Sequence, residues 1–279
     1  MDANADRQVE ETRQVELPRA SLARALGKGI VDVYDRLGLV VAASFIWSVA
    51  VLIPVTVGLE LQRRIPMRPP WLSIAGAAAA ALIGGPILVG TFRMAYKAVY
   101  REDPSLLDLF SGFRELLRSS LALVGVSAAA AAILAADSAF FFGIIGPLGR
   151  NWVFFAVGAA CLYALLAWLM TAMYHLPALA AQRPMGQREG ALAAIRKSLL
   201  LAAHNPGFTI GLFVVILGFT VLCTASVIGL PLLFAGTVSM VLTRALRELF
   251  LRYGIVEEPP EVVEDKGWRI SRMRNGDGE

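Results

Sequence analysis

Charge is scarce in this 279-residue chain: Asp, Glu, Lys and Arg make up only 17% of it, against about 25% in an ordinary soluble domain. The 57% that is hydrophobic is more apolar surface than one soluble core of this size can hide, which excludes a soluble globe. A net charge of +4 is small. The basic residues are not gathered on one soluble face either, so disorder and nucleic-acid binding are poor descriptions of the chain. Cysteine is scarcer still. Cys161 and Cys223 both lie inside long apolar runs, and neither a disulfide framework nor a thiolate metal site is expected. There are two histidines, and no HExxH, GxxxxGK[ST] or GxSxG pattern, so no metal, no cofactor and no enzymatic activity are expected.

What the sequence has instead is long apolar runs. A hydrocarbon core about 30 Å thick needs about 20 apolar residues of helix. Five runs qualify plainly: Leu37 to Leu59, Trp71 to Phe92, Leu121 to about Ile145, Trp152 to Tyr174, and Phe208 to about Ser226. The stretch from Val227 to Thr243 is a short sixth. Pro206 to Thr243 is uncharged throughout and holds two spans only if the turn around Ile228, Gly229 and Pro231 is tight; a re-entrant pair of half-spans is the alternative. The first 36 residues carry seven carboxylates and do not read as a signal peptide, so the first span is expected to be retained. The chain thus reads as an all-α polytopic bundle. Residues 21–254 form the membrane domain, between disordered cytoplasmic tails at 1–20 and 255–279.

Orientation follows from the 26 Lys and Arg residues. Twenty-two fall in the N-terminal segment, in Arg93 to Arg118, in Arg183 to Lys197 and from Arg244 onward; the other three connections hold four. The positive-inside rule then puts both termini in the cytoplasm, as an even number of spans requires. The expected location is the cytoplasmic membrane. Trp71 and Trp152 open inbound helices at the outer face, where an amphipathic ring favours the headgroup level.

Each outward span is preceded by an amphipathic stretch. Leu22, Leu26, Ile30 and Val33 recur at helical spacing in the first; Leu106, Leu109, Phe110, Phe113 and Leu117 in the second; Leu192, Ile195, Leu199 and Ala202 in the third. Asp103, Pro104 and Ser105 make a good helix start ahead of the second. Three cytoplasmic interfacial helices are expected. They begin near Ser21, Ser105 and Arg188, which leaves a threefold internal repeat of about 84 residues open beside the plainer reading of evenly spaced loops.

Helices in lipid associate through small residues at every fourth position. Gly76, Ala80 and Gly84 form one such row, Ala77, Ala81 and Gly85 the next. Gly125, Ala128, Ala132 and Ala136 form a third row, and Gly207 with Gly211 a GxxxG. These rows suggest that spans two and three face neighbouring helices. Gly84, Gly85 and Pro86 lie inside span two, where proline removes a backbone donor; a helix break on a substrate path and a packing kink are both open there.

Asp137 is the one acidic residue inside an apolar run, which makes it the candidate intramembrane polar site. It lies about 27 Å of helix beyond Ser119, so a helix-end role at the outer lip competes with a proton or cation site. His175 falls near the cytoplasmic interface, away from Asp137, and His204 at the end of the third amphipathic stretch, where an imidazole can cap helix carbonyls.

The stretch "GPILVGTFRMAYKAVYREDPSLLDLFSGFRELLRSS" from Gly85 to Ser120 resembles the centre of the YesL-like family of six-span bacterial membrane proteins. Gly85, Pro86, Arg101, Glu102, Phe110 and Phe113 stand at its quoted positions. "DSAF" from Asp137, "YHLPALAAQ" from Tyr174 and "TRALRELF" from Thr243 are similar to its later elements. The resemblance covers roughly Tyr34 to Tyr253 and not the tails. It implies an inner-membrane protein of uncharacterised role, proposed to accompany carbohydrate uptake. Two functions are therefore expected to compete: a component of small-solute transport, and a non-transporting scaffold. The expected partners are the lipid bilayer and another membrane protein or a second copy of the chain, with no nucleic acid.

Overall fold

The computed structural model describes residues 20–65, 70–100, 102–144, 151–182, 185–186 and 190–256. Apart from Ala20, Ile255 and Val256, the two tails read as disordered lie outside the described residues. The described chain is helical with no strand: α1 (Leu22–Asp35), α2 (Leu37–Arg64), α3 (Trp71–Val99), α4 (Leu106–Phe141), α5 (Trp152–Gln182), α6 (Ala191–His204), α7 (Pro206–Ala225) and α8 (Ala235–Arg252), the last entered through one π turn at Leu230–Phe234. Six helical segments are long and apolar enough to cross a membrane: α2, α3, α4, α5, α7, and Leu230–Arg252. The protein is a multi-pass helical membrane protein.

The chain divides into two compact units, Arg19–Leu249 and the pair Met1–Pro18 with Phe250–Glu279. Of the second, Phe250–Val256 are described. They carry the last turn of α8 and its close, where Gly254 at φ +64 donates to the Leu251 carbonyl, the usual left-handed glycine stop. The first unit holds everything that follows.

The helix starts lie where the sequence places them. Ser21 caps α1 by accepting the Arg24 N–H at 3.4 Å. Ser105 opens α4, and its N–H is held at 2.8 Å by the Asp108 carboxylate. The spans outrun their apolar runs: α2 continues from Leu59 to Arg64, α3 from Phe92 to Val99 and α5 from Tyr174 to Gln182. A helix need not end where lipid does, because terminal cations reach the interface on their apolar stems. The short sixth run becomes the longer segment Leu230–Arg252, and the turn before it is as tight as required. Ser226 Oγ accepts the Gly229 N–H at 2.8 Å, and Val227 sits at φ +56, a strained setting for a β-branched residue.

One expected element is corrected. The first and third amphipathic stretches are separate 14-residue helices, α1 and α6, but the second is not a separate interfacial helix. It is the opening of α4, which runs unbroken for 36 residues. The reason is local. Arg36 leaves helical geometry at φ −126, and Pro206 forces a new start after Asn205. Between Arg118 and Leu121 there are only two serines, with neither glycine nor proline to stop the helix. The second of the three units therefore lacks the joint of the other two.

The core sits toward the end of the bundle that holds Arg36, Tyr100 and Gln182, called here the basic end. Val40, Ala95, Ala98 and Met240 bring α2, α3 and α8 together. Ala43, Met94 and Leu109 join α2, α3 and α4. Val89, Leu116, Leu123, Leu179 and Ile195 join α3, α4, α5 and α6. With no water to expel in lipid, such contacts hold by close packing.

Candidate functional site

Asp137 is exposed and stands four residues before the end of α4. The helix closes on Gly143 at φ +74, with the Gly143 N–H on Phe140 O and the Ile144 N–H on Ala139 O. The Asp137 carboxylate has no hydrogen bond or ion pair among the described residues, and those residues hold no group of three or more His, Cys, Asp or Glu fit for a metal ion. Its position is that of a helix-end residue.

Gly84, Gly85 and Pro86 make no break. Helix α3 passes through them from Trp71 to Val99. A Cβ on Gly84 would lie 2.5 Å from Val51 Cγ2, and one on Gly85 2.6 Å from Val124 Cγ2. The two glycines let α2 and α4 approach α3. Gly76 does the same further along, where a Cβ would lie 2.6 Å from Pro54 O and 2.9 Å from the Gly58 Cα; Ala80 in the same row is buried. Two other expected packing rows are corrected. Gly207 has nothing within 4 Å, whereas Gly211 makes room for α1, since a Cβ there would lie 2.7 Å from Leu22 Cδ2, so only one glycine of the pair serves a contact within the bundle. Gly125 also has nothing within 4 Å, and Ala128, Ala132 and Ala136 are exposed. The closest crossings involve glycines that the four-residue rows passed over. A Cβ on Gly90 would collide with the Leu109 carbonyl, and one on Gly236 with the Val40 carbonyl.

Between α2, α3 and α4 lies a groove of about 430 Å³, lined by Trp47, Val51, Ala77, Gly84, Val124 and, from α5, Leu176 among others, all apolar or tryptophan. The buried hydroxyls form no path along it. Ser48 donates to Leu230 O at 3.1 Å, Thr91 to Ile87 O, Ser138 to Gly158 O and Thr243 to Ser239 O. Ser44 accepts from the Gly236 N–H at 2.8 Å. Each ties a helix to itself or to its neighbour.

His175 is buried among its neighbours, at 2% exposure. Its Nδ1 lies 3.0 Å from Ser127 Oγ, the Trp168 ring stands edge-on at 5.4 Å, and Nε2 is buried with no hydrogen-bond partner. His204 is exposed, and its Nδ1 meets Leu200 O at 2.8 Å, the helix-end contact its position suggested.

A polar assembly joins α1, α3, α4 and α8 at the basic end. The Arg244 guanidinium donates through both Nε and Nη2 to the Asp32 carboxylate, fixing α8 to α1. Arg24 reaches Glu248 at 3.8 Å. Lys97 donates to Asp108 at 2.7 Å, tying α3 to the first turn of α4. At the end of α3 the Tyr96 and Tyr100 rings stack at 4.2 Å. The Arg247 guanidinium lies over the Tyr100 ring at 5.3 Å. Burial pushes the Tyr100 phenol above its usual range, so it is a neutral donor at physiological pH. Arg93, one turn before Tyr96, has a buried Nη1 with no hydrogen-bond partner. Little in the sequence marks this assembly. Its one local signal is the spacing of Arg93, Tyr96 and Tyr100 along a single helix face; Arg244 and Arg247 come from a distant helix.

Against known proteins, no family model, no curated protein and no solved structure matches this chain. The likeness to the YesL-like family rests on the quoted motifs alone.

Proposed function

We propose that this protein is a non-transporting scaffold of the cytoplasmic membrane, with both termini inside, that binds another membrane protein. The observation that carries this reading is the outward row Gly125, Ala128, Ala132 and Ala136 on α4. Gly125 has nothing within 4 Å and the three alanines are exposed, and such a row lets a second helix approach closely. The engaged hydroxyls and the apolar groove support it, because a sugar or an ion needs polar partners along its route. The 22-to-4 bias of basic residues supports the orientation. Pull-down from native membranes tests the scaffold: one stoichiometric partner is expected with the wild type and is lost in Ala128→Leu/Ala132→Leu.

Small-solute transport, implied by the YesL-like resemblance, is favoured by one feature, the buried unpartnered Nε2 of His175. Liposomes carrying the purified protein are expected to show no saturable flux of sugars or ions. Saturable flux abolished by His175→Phe replaces the scaffold reading with transport.

A further inference from the structure

The groove between α2, α3 and α4 holds about 430 Å³, within the range of about 300 to 1,000 Å³ that small-molecule sites occupy. Its floor is smooth. Ala77, Ala81 and Gly84 of α3 lie along it over about 10 Å of helix, and none of them carries more than a methyl group. Val51 of α2 and Val124 of α4 stand as its walls. One side chain of this lining is polar. The Trp47 ring leans on Phe234 at 5.4 Å, and its Nε1 lies beside Gly84, 3.5 Å from where a Cβ would stand. That N–H has no acceptor among the described residues. It is not sealed off as His175 Nε2 is, so a molecule in the groove reaches it. An indole N–H in apolar surroundings ordinarily has a partner, because an unmade hydrogen bond there costs free energy.

Depth limits what that partner is. Trp47 follows Leu37, the start of α2, by about 15 Å of helix, half of a hydrocarbon core about 30 Å thick. The ester and headgroup oxygens of a phospholipid lie at the edges of that core, so only its acyl chain, which has no acceptor, reaches the indole. A neighbouring transmembrane helix has its carbonyls already bonded along its own axis. The missing acceptor therefore belongs to a neutral, lipid-soluble molecule. We propose that the groove binds an isoprenoid quinone, one ring carbonyl accepting from Trp47 Nε1–H and the tail lying along α3 toward Ala77. A flat ring suits the methyl-sized floor and has Trp47 as its aromatic neighbour. An apolar cavity of about 150 Å³ holds one six-membered ring, which leaves most of the groove for the tail. The site stands independently of the scaffold reading, since the outward row on α4 is not part of its lining.

The full chain in phosphatidylcholine nanodiscs provides the test, titrated with a naphthoquinone bearing a short isoprenoid tail and with the naphthalene bearing the same tail. Binding is read by extraction and absorbance as ligand retained above the level of empty nanodiscs. The wild type is expected to retain the quinone saturably and stoichiometrically, and the naphthalene about tenfold more weakly, the effect of one hydrogen bond left unmade. Trp47→Phe is expected to weaken quinone binding about tenfold and to leave the naphthalene unchanged. Ala81→Phe, which fills the floor, is expected to abolish binding of both, and Leu82→Phe, on an exposed position outside the groove, to alter neither. Absence of saturable quinone retention by the wild type means that acyl chains or a partner helix occupy the groove, and overturns the proposal. So does equal affinity for quinone and naphthalene, wild-type quinone binding by Trp47→Phe, undiminished binding by Ala81→Phe, or an equal loss in Leu82→Phe. Circular dichroism and elution volume establish that the variants are folded; where one is not, the ratio of quinone to naphthalene affinity in the wild type decides.

Discussion

The two halves of the bundle are built on different principles. Toward the basic end three or four helices converge at a time, backbone approaches backbone at Gly90 and Gly236, and ion pairs join elements far apart in the chain. Toward the other end the helices meet mainly as consecutive hairpins. Gly58 lies on Gly76 between α2 and α3, and Gly158 lies against Phe142 between α4 and α5, while Leu82, Ile133, Phe155 and Val214 stay exposed. Even the charges follow this division. Arg244 and Asp32 are largely buried, at 11% and 14% side-chain exposure, whereas Arg64 and Glu60 at the far end are an exposed pair within one helix. The difference teaches that apolar composition suits all six segments to lipid, while buried ion pairing and the meeting of three or four helices at once belong to the basic end.

The largest test of that contrast is Gly90→Val. Its side chain would enter the Leu109 carbonyl, and a loss of about 4 kcal/mol or more is expected, seen as failure of the purified protein to elute as one folded species. Arg244→Gln removes one member of a buried pair and is expected to cost about 3 kcal/mol, read as a lower melting temperature in detergent; a cost near that of an exposed pair would erase the distinction between the ends. Ser48→Ala removes the bond to Leu230 O and should cost about 1 kcal/mol in the same melt. The smallest effect belongs to Gly125→Ala in the open half, where nothing stands within 4 Å. A gain of about 0.5 to 1 kcal/mol is expected from helix propensity alone, and a marked loss would mean that this face is packed after all.

Much of the fold was legible from residue patterns, because the properties involved are local. Trp71 and Trp152 open their helices, Ser21 and Ser105 stand at the starts of theirs, and Pro206 begins α7, all as composition and capping rules predict. The continuity of α4 follows from an absence, that of any residue between Arg118 and Leu121 able to end a helix. What stayed hidden was pairing. Gly90 and Gly125 look alike in an apolar run, yet one presses on a neighbouring backbone and the other faces outward. Only the partner helix tells them apart, and it is not encoded within the same stretch. For the same reason Arg93 read as one of five basic residues in a loop region. Its neighbours Tyr96 and Tyr100 were visible beside it, but Arg247, more than 150 residues later in the chain, was not.

Helix α4 differs mechanically from its counterparts. The chain can bend at Arg36 between α1 and α2 and at Asn205 between α6 and α7, so movement of those amphipathic helices is absorbed at a joint. No such joint interrupts α4 over its 36 residues, a rod of about 54 Å. A tilt of its first turns, which Lys97 grips through Asp108, would swing the outward row and Asp137 at the other end by a like angle. A rod of this length would carry a displacement from one end of the bundle to the other without any helix having to unwind.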